Sequence, residues 1–209
     1  MAILVSELSD VQLVRQMLAG DADAFEEIYD RKQPGVYRFA LRMSGSENIA
    51  EDVTQEVFMA LMRDGSQYDE QRGNLSTYLY AIARYRVLRF LEKDRAFVLI
   101  YDGHDNEDES LVNERFITDE NLLADLAQDQ IIEKVRQAIL ALPVHYREVV
   151  VLCNLQEMTY EEAAKVTGCA VGTVRSRLHR ARSMLVKKLR GVKEPNEIKQ
   201  ISFSTRYAI

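Results

Sequence analysis

Residues 159–185, TYEEAAKVTGCAVGTVRSRLHRARSML, constrain the fold more than any other stretch. Thr159 and Glu162 stand three apart, the spacing at which a hydroxyl and a carboxylate each satisfy a backbone N–H left free at a helix start. A short helix therefore opens at Tyr160, and Gly168 supplies the left-handed residue that ends it. After a tight turn over 169–172, Val174, Leu178, Ala181, Leu185 and Leu189 fall on one stripe at 100° per residue, so a second helix packs that stripe inward. Its opposite face carries Ser176, His179, Arg180, Ser183 and Lys187, with Arg175 and Arg182 on a flank. A short helix, a tight turn and a basic second helix make a helix-turn-helix, whose second helix enters the DNA major groove. The N-terminal half of that face offers hydrogen-bonding groups to base edges, and the later residues offer charge to phosphates. An arginine bridging the two acceptors of guanine is worth roughly 1–3 kcal/mol of discrimination.

This basic helix belongs to a chain whose formal net charge is −6. Residues 1–75 and 96–130 are acidic, while 76–95 and 131–190 are basic. Two basic stretches, each beside an acidic one, fit a chain that meets a polyanion at two separate places and is kept off it elsewhere. With 209 residues, 47% of them apolar, the chain can bury a core and hold one or two domains. Cys153 and Cys169 form neither a CxxC pair nor a zinc quartet with histidine, so neither a disulfide framework nor a metal is expected, and free thiols suit a reducing compartment. No run approaches the ~20 apolar residues of a membrane span, so the expected location is cytoplasmic.

Helical signals fill most of the chain. Ser9 caps a helix through Leu18, ended by Gly20. A second runs from Ala24 with apolar residues at helical spacing to Leu41, and Pro34-Gly35 is expected to kink or interrupt it. A third spans about 47–62 after Ser44-Gly45-Ser46, and a fourth starts near Ser76 after the loop Gly73-Asn74-Leu75. DGHDNEDES, residues 102–110, has no periodicity and reads as a linker. From about Ala124 the pattern returns, with Pro143 where a helix start tolerates it. The fold expected from these signals is all-α, with four helices over about 8–95, a linker and a helix-turn-helix.

IAEDVTQEVFMALM, residues 49–62, decides between kinds of DNA-binding chain. Ile49, Val53, Val57 and Ala60 form an inward stripe, whereas Phe58, Met59 and Met62 lie on the other side with Glu51, Asp52 and Gln55. Large apolar residues beside carboxylates on an outward face mark a partner surface, the alternative being burial against a neighbouring helix.

AEDVTQEVFMAL, STYLYAIARYRVLRFL and MTYEEAAKVTGCAVGTVRSRLHRAR together resemble the bacterial sigma-70 family, in its extracytoplasmic-function group. The resemblance covers about 8–95 and 126–190. It implies an all-α fold of two small helical domains, a region 2-like four-helix bundle over 1–95 and a region 4-like helix-turn-helix domain over 126–190, joined by an acidic flexible linker over 96–125 and followed by a tail, 191–209, of its own. It further implies that core RNA polymerase is clamped through Glu51, Asp52, Gln55, Glu56, Phe58 and Met59. The −10 promoter element then falls to Arg72, Asn74, Tyr78, Tyr85, Arg86, Arg89 and Lys93, with an extruded base held near 69–75. The −35 element falls to Arg175, Ser176, His179, Arg180, Ser183 and Lys187. Partners implied are core polymerase and promoter DNA, together with an anti-sigma factor of the kind that holds many members inactive. No catalytic residue, metal or cofactor is implied. Tyr78, Tyr85 and Arg89 stand where the family often has tryptophan, asparagine and aspartate, so no −10 base preference is carried over.

The 76–95 segment also speaks for itself. Tyr78, Tyr80, Tyr85 and Phe90 are interleaved with Arg84, Arg86, Arg89, Lys93 and Arg95, and aromatics among basic residues suit single-stranded DNA, where bases stack and phosphates meet charge. Opening about ten base pairs costs on the order of 14 kcal/mol at ~1.4 per step, whereas each base–aromatic stack returns about 1–3 kcal/mol, so the chain alone cannot melt DNA. The rival reading is a dimeric or ligand-controlled repressor, which binds a near-palindromic site without polymerase. An enzyme is the weaker rival, because His104, His145 and His179 are scattered and no phosphate loop is present.

Overall fold

A computed structural model describes residues 7–101 and 125–189. Among these the regular elements are all helical: α1 (Asp10–Leu18), α2 (Ala22–Ser44), α3 (Glu47–Asp64), a 3-10 turn (Gly65–Gln67), α4 (Leu75–Tyr101), α5 (Asp125–Leu140), α6 (Val144–Val150), a π-helical turn (Val151–Leu155), α7 (Tyr160–Thr167) and α8 (Val171–Leu189). The linker DGHDNEDES and the tail 191–209 lie outside the described residues.

The helix starts follow local chemistry. Ser9 and Gln12 close a capping box on α1, Asp21 accepts from two backbone N–H groups at the start of α2, and Ser46 caps α3. Gly45 ends α2 at φ 75°, a conformation that favours glycine. Pro34 and Gly35 lie inside a continuous α2, so of the kink or interruption expected from sequence the interruption does not occur. Proline removes only one donor, and Val36, Phe39, Ala40 and Met43 beyond it are buried, so tertiary packing carries the helix through. Gly35 has a packing role instead: a Cβ there would stand 2.7 Å from the Tyr80 hydroxyl, so a larger residue would displace that ring from α2.

Helices α1–α4 bury Leu13, Ile28, Phe39, Met43, Leu61, Leu75 and Leu79 between them. Helices α5–α8 bury Leu142, Val149, Leu152, Val174 and Leu178. The two units do not stand apart: α7 packs on α4, α5 and α6 pack on α2, and one buried apolar cluster runs through both. Arg147 pins the junction, its guanidinium donating to the carbonyls of Met43, Leu140 and Leu142. The carbonyls of Met43 and Leu140 close the last turns of α2 and α5, where a cation is favoured, and that of Leu142 follows the end of α5.

Candidate nucleic-acid interface

The recognition helix is positioned by the cap and turn chemistry that the sequence announces. Thr159 accepts from the Glu162 N–H at 3.2 Å while Glu162 takes the Thr159 N–H at 2.9 Å, and Gly168 closes α7 at φ 67°. These hydrogen bonds and a neighbouring lysine hold the Glu162 carboxyl below its usual range against the opposing effect of burial. On α8 the stripe Val174, Leu178, Ala181 and Leu185 is buried, and Leu189 is half-buried. Arg175, Ser176, His179, Arg180, Ser183 and Lys187 are all exposed, so the face expected to read DNA is open along its length. Arg177 belongs to the other side: its Nη1 lies 3.2 Å from the Glu148 carboxylate, which is 2% exposed. Arg175 lies over the Tyr160 ring at 5.8 Å, a cation–π contact that restrains its guanidinium. Tyr160 escaped the sequence reading because the capping box explained its position as a helix start.

The second basic face lies on α4. Tyr85 is 57% exposed, with the guanidinium groups of Arg86 and Arg89 at 6.0 and 5.8 Å from its ring centre. Arg89 and Lys93 are exposed beside it, giving an aromatic platform inside positive charge. Arg86 is tied down by Glu56 at 3.0 Å, so a residue expected to meet polymerase and one expected to meet DNA form an ion pair within the bundle. Tyr78 is half-buried, its ring 5.6 Å from that of Tyr68. Burial, with carboxylates nearby, raises both phenols, which stay protonated as donors. Ahead of α4 is an open cleft of about 500 Å³ lined by Ser9, Asp10, Tyr68, Glu70, Asn74 and Leu75. Asp10 meets Lys32 at 2.5 Å and Glu70 meets Arg15 at 3.0 Å, so both carboxylates on its wall are neutralised. Arg72, between the lining residues Gln71 and Gly73, is exposed and lies 3.9 Å from the Asp69 carboxylate. Asn74 caps α4 by accepting from the Thr77 N–H at 2.8 Å, and its amide donates to Glu162 at 2.6 Å.

A third face lies on α3. Glu51, Asp52 and Gln55 are exposed, and Met59 and Met62 are about half exposed (51% and 53%) beside them. Phe58, expected on this outward face, is buried at 2%, its ring 4.7 Å from Tyr29 and 6.4 Å from Phe25. The wheel of α3 alone cannot see α2 folding over that edge, which is how an apparently outward aromatic joins the core. Among the described residues no group of three or more His, Cys, Asp or Glu side chains is placed to hold a metal ion, and no helix is long and apolar enough to cross a membrane.

Comparison with known proteins matches these units one by one. The model of sigma-70 region 2 matches residues 28–97, and that of sigma-70 region 4 matches residues 132–185. The chain is 31% identical over 179 residues to the ECF RNA polymerase sigma factor SigW of Bacillus subtilis, covering 85% of this chain and 95% of SigW. It is 30% identical over 161 residues to SigM of the same organism, covering 77% of this chain and 91% of that protein. Among solved structures, the sigma factor RpoE, crystallised with the anti-sigma factor NepR from Bartonella quintana, is 25% identical with a TM-score of 0.61, covering 81% of this chain and 98% of that one.

Proposed function

The chain belongs to the extracytoplasmic-function group of the sigma-70 family and is a transcription initiation factor; from this premise we propose which of its surfaces meets which partner. Residues 1–95 act as the region 2 unit, docking on core RNA polymerase through Glu51, Asp52, Gln55 and Met59. The same unit takes the −10 strand on Tyr85, Arg86, Arg89 and Lys93, with Asn74 at the cleft and Arg72 and Tyr78 near it in sequence. Residues 126–190 act as the region 4 unit, reading the −35 element with Arg175, Ser176, His179, Arg180, Ser183 and Lys187. Residues 96–125 join the two, and 191–209 follow as a tail. The observation that carries this reading is the clean division of α8, whose four inward residues are buried while all six proposed DNA-reading residues are exposed.

Mechanism follows from the faces. Arg175 and Arg180 offer bidentate donors to guanine and Lys187 a point charge to phosphate, so bases set the site and phosphates set the register. Tyr85 stacks on an unpaired base while the guanidinium groups beside it meet the backbone. These stacks cannot balance strand opening alone, so polymerase must hold both units on one DNA, where the second contact becomes intramolecular. The chain supplies recognition, and the chemistry of polymerisation belongs to its partner, in the cytoplasm where that partner works. Likeness to a sigma factor crystallised with an anti-sigma factor supports a protein inhibitor as a further partner.

The test is co-elution of the protein with bacterial core RNA polymerase, followed by promoter opening. Asp52→Ala with Gln55→Ala is the informative variant, because both side chains are exposed and Glu56 is left to hold Arg86. Co-elution that survives this double change removes α3 as the docking face. Specific DNA binding without polymerase returns the repressor reading.

A further inference from the structure

The arginines of α8 are held in three different ways. Arg177 gives its guanidinium to the buried Glu148 carboxylate at 3.2 Å, which fixes it and occupies its donors. Arg180 is exposed and, among the described residues, has neither an ion pair nor a ring contact. Arg175 is exposed too, yet the centre of its guanidinium lies over the Tyr160 ring at 5.8 Å. That ring belongs to α7, so the restraint comes from outside its own helix. A carboxylate that holds an arginine also takes its N–H groups, whereas a ring face attracts the cation and takes none. Arg175 is thus restrained with its donor fork still open.

The ring is itself fixed. Tyr160 is the first residue of α7, directly after the Thr159 capping box, and its half-buried side chain packs on the buried apolar cluster. On the other side, Val174 immediately before Arg175 is fully buried, so the backbone that carries the arginine is anchored as well. We propose that Tyr160 is a positioning residue for −35 recognition: it holds the Arg175 guanidinium in place before DNA arrives, so the base pair that Arg175 reads is selected more strictly than the one met by Arg180. The inference rests on the functional reading above. Two physical effects support it. Ordering a long side chain on binding weakens a contact by about two- to tenfold, and a restraint already present in the free protein removes part of that cost. A restrained arginine also cannot swing to a different acceptor when the base is wrong, so a mismatch leaves its donors unpaired.

Two measurements test it, both on the full chain. The first needs no DNA: nuclear magnetic relaxation of the arginine Nε–H groups is expected to show Arg175 more restricted than Arg180. That difference is kept in Tyr160→Phe, which preserves the ring, and lost in Tyr160→Leu, which preserves only the apolar bulk. Equal mobility of the two arginines in the parent chain overturns the proposal, whatever the fate of the functional reading. In the second, the chain assembled with bacterial core RNA polymerase selects from a pool of duplexes carrying a randomised segment, and the bound fraction is sequenced. Arg175→Ala and Arg180→Ala identify the base pairs that these residues read. Tyr160→Leu is expected to lower preference at the Arg175 pair about three- to tenfold, with preference at the Arg180 pair, the salt slope and co-elution with polymerase unchanged. In the Arg175→Ala background the same change has no further effect at that pair. Flattening of every position alike shows a ring that only supports α8, and overturns the proposal. So does a uniform loss of affinity in Tyr160→Phe, which assigns the effect to the hydroxyl. A parent chain that neither co-elutes with polymerase nor selects any sequence overturns the functional reading instead.

Discussion

Replacing Glu148 by glutamine tests the energetic centre of the molecule. The carboxylate is 2% exposed and accepts from Arg84 at 2.8 Å and Arg177 at 3.2 Å. Glutamine keeps the shape and one acceptor but turns an amide N–H₂ toward the other guanidinium, so one bond is lost and one loses its charge. Hydrogen bonds to charged groups contribute about 1.5–3 kcal/mol and neutral ones about 0.5–1.5. Both arginine side chains are about a quarter exposed (25% and 29%), so the stranded guanidinium turns to water and the full penalty of an unpaired buried charge is not reached. The expected loss is about 2–3 kcal/mol, which for a chain of this size lowers Tm by roughly 5–10 °C. Thermal unfolding of the variant gives the total, and double-mutant cycles with Arg177→Met and Arg84→Met apportion it. Coupling above about 0.5 kcal/mol to each arginine is expected. A variant melting within about 2 °C of the parent, with no coupling to either arginine, refutes the reasoning, because a buried carboxylate with two charge-assisted bonds cannot be energetically silent.

Other outcomes are equally specific. Glu157 is the one described residue other than glycine at positive φ (55°), so Glu157→Gly is expected to raise stability by about 0.5–1 kcal/mol in denaturant unfolding. Thr159→Ala removes the α7 cap and is expected to cost about 1 kcal/mol, measured the same way. Arg175→Ala is expected to relax preference at one −35 position by about 1–3 kcal/mol, whereas Lys187→Ala weakens binding to all sequences alike and lowers the salt slope by about one; competition binding at several salt concentrations separates them. Burial pushes the Cys153 thiol from 9.0 up to about 11 and the Tyr80 phenol from 10.0 up to about 12. Both groups therefore stay protonated in the folded chain. Their contribution is complete below the ordinary values and is lost as pH rises from 9 toward 12, so stability is expected to fall over that window, and Cys153 is expected to alkylate slowly at neutral pH.

How far the sequence reaches depends on whether a residue's fate is local. The capping box at Thr159, the glycine stop at Gly168 and the inward stripe of α8 are decided within a few residues, and all stand as expected. The exposure of the six proposed DNA-reading residues of α8 follows directly from that stripe. Phe58 and Pro34 depend on neighbours: one is covered by Tyr29 of α2, and the other is carried through by burial of the helix beyond it. Glu148 is the extreme case, an acid inside the run VHYREVVVLCNL whose partners lie at Arg84 and Arg177, 64 and 29 residues away. The π-helical turn over Val151–Leu155 gives no local signal, since the run reads as ordinary apolar helix.

Glu162 shows what it means for one side chain to answer to two helices. One oxygen completes the cap of α7 and the other takes Asn74 at the start of α4. Selection on that position is therefore pleiotropic: a change that loosened the grip on Asn74 would also fray the helix that orients the recognition element. Asn74 is bound likewise, since it caps α4. Gln156, which accepts from the Tyr80 hydroxyl at 2.8 Å, carries no such second duty at a helix start. Variants with a lighter grip between the units should accumulate there first, leaving Glu162 as an epistatic hub that drifts only after its neighbours have moved.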